Sequence, residues 1–217
     1  MTVNEVLEWF ASGRPLMLTN DDGACELAVA ADRITTKTMA EIVRIGTGFV
    51  RVVLPEATCD RLLLPLQTWR WTTGGSAGDC VTVDAATGVT TGISAADRAL
   101  TARLLASADT HPADLRRPGH VVPQRVTPVG SLGRLTAHEA AVVLASLSGC
   151  APGAVVSAIT SQVDPRRLAG IAELPDLAER YAVPVIRAAN VADCARWRGA
   201  AGRAMRGVLV SAPKDAG

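Results

Sequence analysis

The chain has 217 residues, a formal charge of +1 and 48% hydrophobic residues, which suits one globular domain with a sizeable core. Near-neutral charge argues against a nonspecific nucleic-acid binder, and no run of about 18 apolar residues offers a transmembrane helix. The five cysteines (Cys25, Cys59, Cys80, Cys150, Cys194) lack CxxC spacing, so zinc is not expected and reduced thiols are the default.

The start, Thr2 to Glu8, is acidic rather than basic, unlike a secretory signal; with the thiols it leads us to expect a cytoplasmic protein with no membrane partner. Residues Val3 to Ala11 predict a helix with Val6, Leu7 and Phe10 on one face. Strands are predicted at Pro15 to Thr19 and Leu27 to Ala31, joined by the polar turn Asn20-Asp21-Asp22-Gly23. A capped helix follows over Thr36 to Ile45, then β-rich runs at Phe49 to Leu54 and Val81 to Asp84. Next come a helix opening at Ser94, a Pro/His/Arg loop from about His111 to Pro128, and a helix from about His138 to Leu147. Ala154 to Ile159 is an apolar strand. The close is a helix near Asp176 to Tyr181, a strand over Pro184 to Ile186, and a last helix from about Asn190. The run Arg196, Arg198, Arg203 and Arg206 reads as a solvated helix end and tail.

Two dense polar clusters stand out, Gly88 to Arg98 (GVTTGISAADR) and Arg117 to Pro123 (RPGHVVP). The Ser94 helix carries Asp97 in its first turn and an apolar stripe of Leu100, Leu104 and Leu105. Such a helix start is an anion site in one reading, because unpaired N–H groups and the helix dipole favour negative charge there. In the other it is a capped helix after a turn.

These clusters closely resemble those of the 3,4-dihydroxy-2-butanone-4-phosphate synthase family, lyases of riboflavin biosynthesis. The similarity runs from about Glu5 to Arg198 and includes Gly13 to Leu18 (GRPLML), Arg44 to Gly48 (RIGTG) and Leu62 to Pro65 (LLLP). The resemblance implies a single α+β domain with a mixed sheet flanked by helices: a core of about 5–198 and a tail of about 199–217. It also implies a homodimer with its small-molecule pocket at or near the interface. The family reaction converts ribulose 5-phosphate to a four-carbon ketone phosphate plus formate. It uses a divalent metal, usually magnesium, to stabilise an enediolate.

The chain departs from the family where that chemistry resides. The family's acidic loop, D-D-E-x-R-E-x-E-G-D, corresponds to Asn20 to Glu26 (NDDGACE), about three residues shorter, with Asp21, Asp22 and Glu26 as the remaining carboxylates. Asp21-Asp22-Gly23 reads equally as a tight turn. The family's G-G-H-T-E-A corresponds to Leu135-Thr136-Ala137-His138-Glu139-Ala140 in part, which places Ala137 at the metal-ligand position and His138 at the phosphate-side threonine. One residue turns a helical side chain by about 100°, so His138 does not simply substitute. The glutamate of a C-E-L-T-like strand is expected to be replaced by Ser157, and an active-site cysteine by Arg51. No metal site and no cofactor are therefore expected; magnesium is the alternative.

The rest of the pocket is expected to survive. Arg134 matches the family's phosphate-contacting arginine, and Thr90, Thr91, Arg98 and His120 lie in preserved motifs. A structural reading stands beside this one, with Asp97 and Arg98 as a buried ion pair and His120 as a loop histidine. Trp69-Arg70-Trp71 supplies either a wall for a larger or more apolar ligand or a cap for the core or dimer interface. The candidate catalytic residues are His138, Arg51 and Glu26; the candidate substrate contacts are Arg134, Thr90, Thr91, His120, Trp69, Arg70 and Trp71. The preferred expectation is a diverged, metal-independent enzyme of a specialised, antibiotic-type biosynthetic pathway, performing a lyase, isomerase, cyclisation or dehydration step on an organic substrate larger or more apolar than a pentulose phosphate. The alternatives are the family's own reaction and a non-catalytic partner subunit.

Overall fold

Thr2 accepts a hydrogen bond from the Glu5 amide while Glu5 reaches back to the Thr2 amide, a capping box that starts the helix α1, Val3–Ala11. The computed structural model describes residues 1–20, 23, 25–67, 77–126 and 135–196. Along them follow β1 (Leu16–Thr19), β2 (Cys25–Ala30), α2 (Thr36–Ile45), β3 (Arg51–Pro55), α3 (Glu56–Arg61), β4 (Ala77–Asp79) and β5 (Val83–Ala85). Then come α4 (Ala95–Ala106), β6 (Leu115–Val126), α5 (Ala137–Leu147), β7 (Ala154–Ala158), α6 (Leu174–Tyr181) and β8 (Val185–Arg187). Residues 188–196 are helical.

The strands form one mixed sheet in the order β4-β6-β3-β7-β2-β1-β8, with β5 paired to the first half of β6. Pairs β3/β6 and β1/β8 are parallel; β1/β2, β2/β7, β3/β7 and β4/β6 are antiparallel. Alternation of side chains sorts the sheet into two faces. Ala28, Ala30, Val53, Val126, Ala154 and Val156 lie under α1 and α5, with Phe10 fully buried among them. Truncating Phe10 to Ala costs about 3–5 kcal/mol, the usual range for an aromatic core deletion. The opposite face carries Val29, Val52, Leu54, Val121 and Val155 under α2 and α4, and Leu27 and Ile159 under α2 and α6. This is the expected α+β domain with a mixed sheet flanked by helices. No helix among the described residues is long and apolar enough to cross a membrane.

Three local expectations are corrected. The loop expected from His111 to Pro128 is mostly the twelve-residue strand β6. Pro118 and Pro123 hide it from a reading of propensities, since proline cannot donate to a ladder; here the Pro123 carbonyl accepts from the Cys80 amide at 2.8 Å. On α4 the fully buried core-facing set is Ala99, Ala102 and Leu105, with Leu104 partly buried against it and Leu100 outside it, because the helix lies close to α2 and small residues permit the approach. Asp97 and Arg98 form no ion pair with each other: Arg98 donates to the Gly48 carbonyl, and Asp97 binds the loop before its own helix.

Candidate active site

Thr136 and Glu139 close a second capping box at the start of α5, the Thr136 hydroxyl accepting from the Glu139 amide and the Glu139 carboxylate accepting from the Thr136 amide at 2.8 Å. That box fixes the phase of the helix. It consumes Glu139, buries Ala137 in the core and aims His138 at the end of β2. There His138 Nε2 lies 2.8 Å from Glu26 Oε2, with both side chains mostly buried. An ionised carboxylate only accepts, so this contact calls for a proton on Nε2, and in a neutral ring that leaves Nδ1 as the acceptor.

Two strands away on the same face stands Arg51. Its row runs through Val156 to Ala28, and Glu26 lies two residues beyond Ala28, so strand and residue spacings put the backbones of Arg51 and Glu26 roughly 12 Å apart. Arg51 Nε donates to Asp79 Oδ1 at 3.4 Å, and the guanidinium lies 4.5 Å from the centre of the exposed Phe49 ring. Gln124 Nε2 donates to the same Asp79 oxygen at 2.9 Å, while Gln124 Oε1 is buried without a partner among the described residues. An unsatisfied buried acceptor beside a cation suits a substrate hydroxyl or a bridging water. Asp79 and Gln124 escaped the sequence reading because only the β4/β6/β3 pairing brings them to Arg51.

The two polar clusters of the sequence converge next to this region, with consequences for the expected substrate contacts. Thr90 is committed elsewhere: its hydroxyl donates to Asp97 at 2.7 Å, and the amides of Thr90 and Gly92 donate to the same carboxylate. The Thr90 hydroxyl above all, then these amides, holds the Asp97 carboxyl below its ordinary value. The anion at this helix start is thus the protein's own side chain, and Thr90 is a structural residue. Thr91 beside it is exposed. His120 pairs through Nδ1 with the buried Asp84 at 2.8 Å, while its ring stays substantially exposed. Gly92 packs against that pair, where a Cβ would come within 2.2 Å of Asp84. Arg98, by holding the Gly48 carbonyl at 3.1 Å, ties this cluster to the loop that leads into Phe49 and Arg51. Arg134, Trp69, Arg70 and Trp71 lie outside the described residues.

The described donors near Glu26 make a poor magnesium cradle by themselves. Ala137 offers no ligand, Glu139 is spent on the cap, and the Glu26 and His138 donors face each other. Magnesium demands several oxygens in octahedral array, and no group of three His, Cys, Asp or Glu side chains that could hold a metal occurs among the described residues. Asp21 and Asp22, the other carboxylates of the shortened acidic loop, lie outside the described residues. Ser157, expected in place of the strand glutamate, faces the other side of the sheet, fully buried beside Thr47 at 3.5 Å. Strand alternation puts Ala158 opposite Glu26 instead, and setting C-E-L-T on Ser157-Ala158-Ile159-Thr160 likewise lands the glutamate on Ala158. Cys25, next to Glu26, is no nucleophile: burial pushes its thiol up to about 12.

The family profile described as 3,4-dihydroxy-2-butanone 4-phosphate synthase matches residues 4–194. The chain belongs to the 3,4-dihydroxy-2-butanone 4-phosphate synthase family. Riboflavin biosynthesis protein RibBA of Nocardia farcinica is 39% identical over 201 residues, covering 91% of this chain and 48% of its own length. RibBA of Mycobacterium tuberculosis H37Ra is 38% identical over 201 residues, with 91% and 46% covered. The chain spans about half the length of the curated relatives it matches. The solved synthase of Candida albicans shares 32% identity at a TM-score of 0.78, covering 87% of this chain and 94% of its own. A synthase in complex with two magnesium ions matches at 32% identity and a TM-score of 0.78, with 87% and 93% covered.

Proposed function

We propose that this synthase-family chain is an acid–base enzyme in which the Glu26–His138 pair replaces the family's metal centre. The observation that carries the reading is the 2.8 Å contact between His138 Nε2 and Glu26 Oε2, which fixes one imidazole tautomer and leaves Nδ1 to take a proton. The substrate is a hydroxyketone or organic acid with an anionic group, held by Arg51, whose guanidinium Asp79 orients. Proton removal beside a carbonyl by His138 starts an isomerisation, dehydration or lyase step, with Glu26 stabilising the imidazolium that forms. As the resemblance implies, the working form is a homodimer, with the exposed Phe49 and Ile93 beside the site available to its interface. A specialised pathway remains the proposed setting. The test is proton exchange: phosphorylated ketoses and 2-keto acids are incubated in D2O without added metal and followed by NMR. Deuterium at the carbon next to the carbonyl, lost in His138→Ala, supports the reading; no exchange across the panel, or exchange unchanged in that variant, overturns it.

A second reading is the family's own reaction, formation of 3,4-dihydroxy-2-butanone 4-phosphate and formate from ribulose 5-phosphate with magnesium. It is favoured by the 39% identity over 91% of the chain to a riboflavin biosynthesis protein and by the likeness to a magnesium-bound synthase. The relatives support it more directly than they support the first reading. The first rests on Ala137, Ala158, Arg51 and the shortened acidic loop.

A further inference from the structure

Where the end of α1, one face of α2 and the turn from α6 into β8 meet, a cleft of about 710 Å³ opens. This volume lies within the usual range for small-molecule sites. Arg14, Lys37, Arg44 and Arg180 line it, against a single carboxylate, Glu41. Lys37, Glu41 and Arg44 share one face of α2, and a rise of 1.5 Å per residue separates Lys37 from Arg44 by about 10 Å along the helix. Among the described residues no carboxylate pairs with Arg14, Lys37, Arg44 or Arg180.

One of these cations is held in place. The Arg14 guanidinium lies 3.2 Å over the Trp9 ring, and Trp9 is pinned by donating from Nε1 to the Pro15 carbonyl at 2.8 Å. Among the described residues Arg180 donates to the neutral Gln162 amide oxygen at 3.3 Å. Four cations around one concavity repel one another, and a bound anion relieves that repulsion. A single phosphate reaches one or two of them. The spread from Lys37 to Arg44, with Arg14 and Arg180 contributed by other elements, matches an anion with several charged groups.

We propose that this cleft binds a small molecule carrying two or more phosphates. It is separate from the Glu26–His138 site: none of the residues lining it belongs to β2 or α5, which carry that pair. The assay is calorimetric titration of the full chain with inorganic pyrophosphate and with ATP at low salt. Binding is expected to weaken at least about tenfold in K37E/R44E and severalfold on raising salt to about 0.3 M, as for screened charge pairs. Arg14→Gln, which removes the pinned cation without reversing charge, is expected to weaken it by a smaller factor. The solvent-facing Arg116→Glu is expected to leave it unchanged. No binding of either probe at millimolar concentration, or equal affinity in K37E/R44E, would overturn the proposal. Deuterium exchange at the His138 site is expected to be untouched in K37E/R44E, which keeps the two proposals separately testable.

Discussion

His138 on α5 and Glu26 on β2 stand 112 positions apart in sequence and 2.8 Å apart in space. The contact is possible because the Thr136–Glu139 capping box sets the helix phase and the β1/β2/β7 pairing carries Glu26 to the sheet end beneath it. Because each group is mostly buried, losing one strands the other. Glu26→Gln and His138→Ala are each expected to cost about 1–3 kcal/mol, with a double-mutant coupling of about 1 kcal/mol or more in urea unfolding. Nitrogen NMR of the neutral His138 ring is expected to show the proton on Nε2; the reverse tautomer would contradict the assigned roles.

Gly92 predicts a steric lesion. Its φ is +93°, and an added Cβ would stand 2.2 Å from Asp84 Oδ2 and 2.6 Å from His120 Nδ1. Gly92→Ala is expected to lower stability by about 2–4 kcal/mol, since strain and a displaced buried pair combine. Thermal unfolding measures it; a loss within about 0.5 kcal/mol, the scale of an ordinary surface change, would mean that the loop relaxes freely.

Asp97 predicts a pH dependence. Its folded carboxyl lies below the ordinary value of about 4, so it contributes stability that is present above that pH and is lost as pH falls through the lower folded value. Thr90→Val removes the leading cause. The stability gap between wild type and Thr90→Val is therefore expected to be largest at neutral pH and to shrink as pH falls to about 3 and below. Urea midpoints across that range test the sign. A gap that grows on acidification would contradict it.

Restoring one family residue is not expected to restore a metal site. Ala137 is buried in the core, so Ala137→His overpacks it at a cost of about 1–3 kcal/mol. Ala158 still offers no carboxylate opposite Glu26. Manganese titration of this variant, followed by electron paramagnetic resonance, is expected to show no tight site.

Local signals were readable where local chemistry decides. Thr36–Ile45 appears as a helix with both predicted ends because the Thr35 hydroxyl accepts from the Thr38 amide and an apolar face recurs over Met39, Ile42 and Ile45. Ser94 caps α4 for the same kind of reason. The strand β6 was not readable: its prolines and arginines argue for a loop, and only pairing with β3, β4 and β5 makes it a strand. At the site, Glu26 and His138 were both identifiable as candidates, but their mutual contact depends on helix phase and sheet register. Ser157 shows the limit most sharply, since a slip of one residue in a strand exchanges the two faces.

The most direct test of the central claim is formate release from ribulose 5-phosphate, measured with magnesium and again with chelator. Because the resemblance implies Ala137, Ala158 and Arg51 at three of the family's functional positions, no formate above background is predicted in either condition. Magnesium-dependent formate release, abolished by chelator, would contradict the account and establish the family reaction in its place.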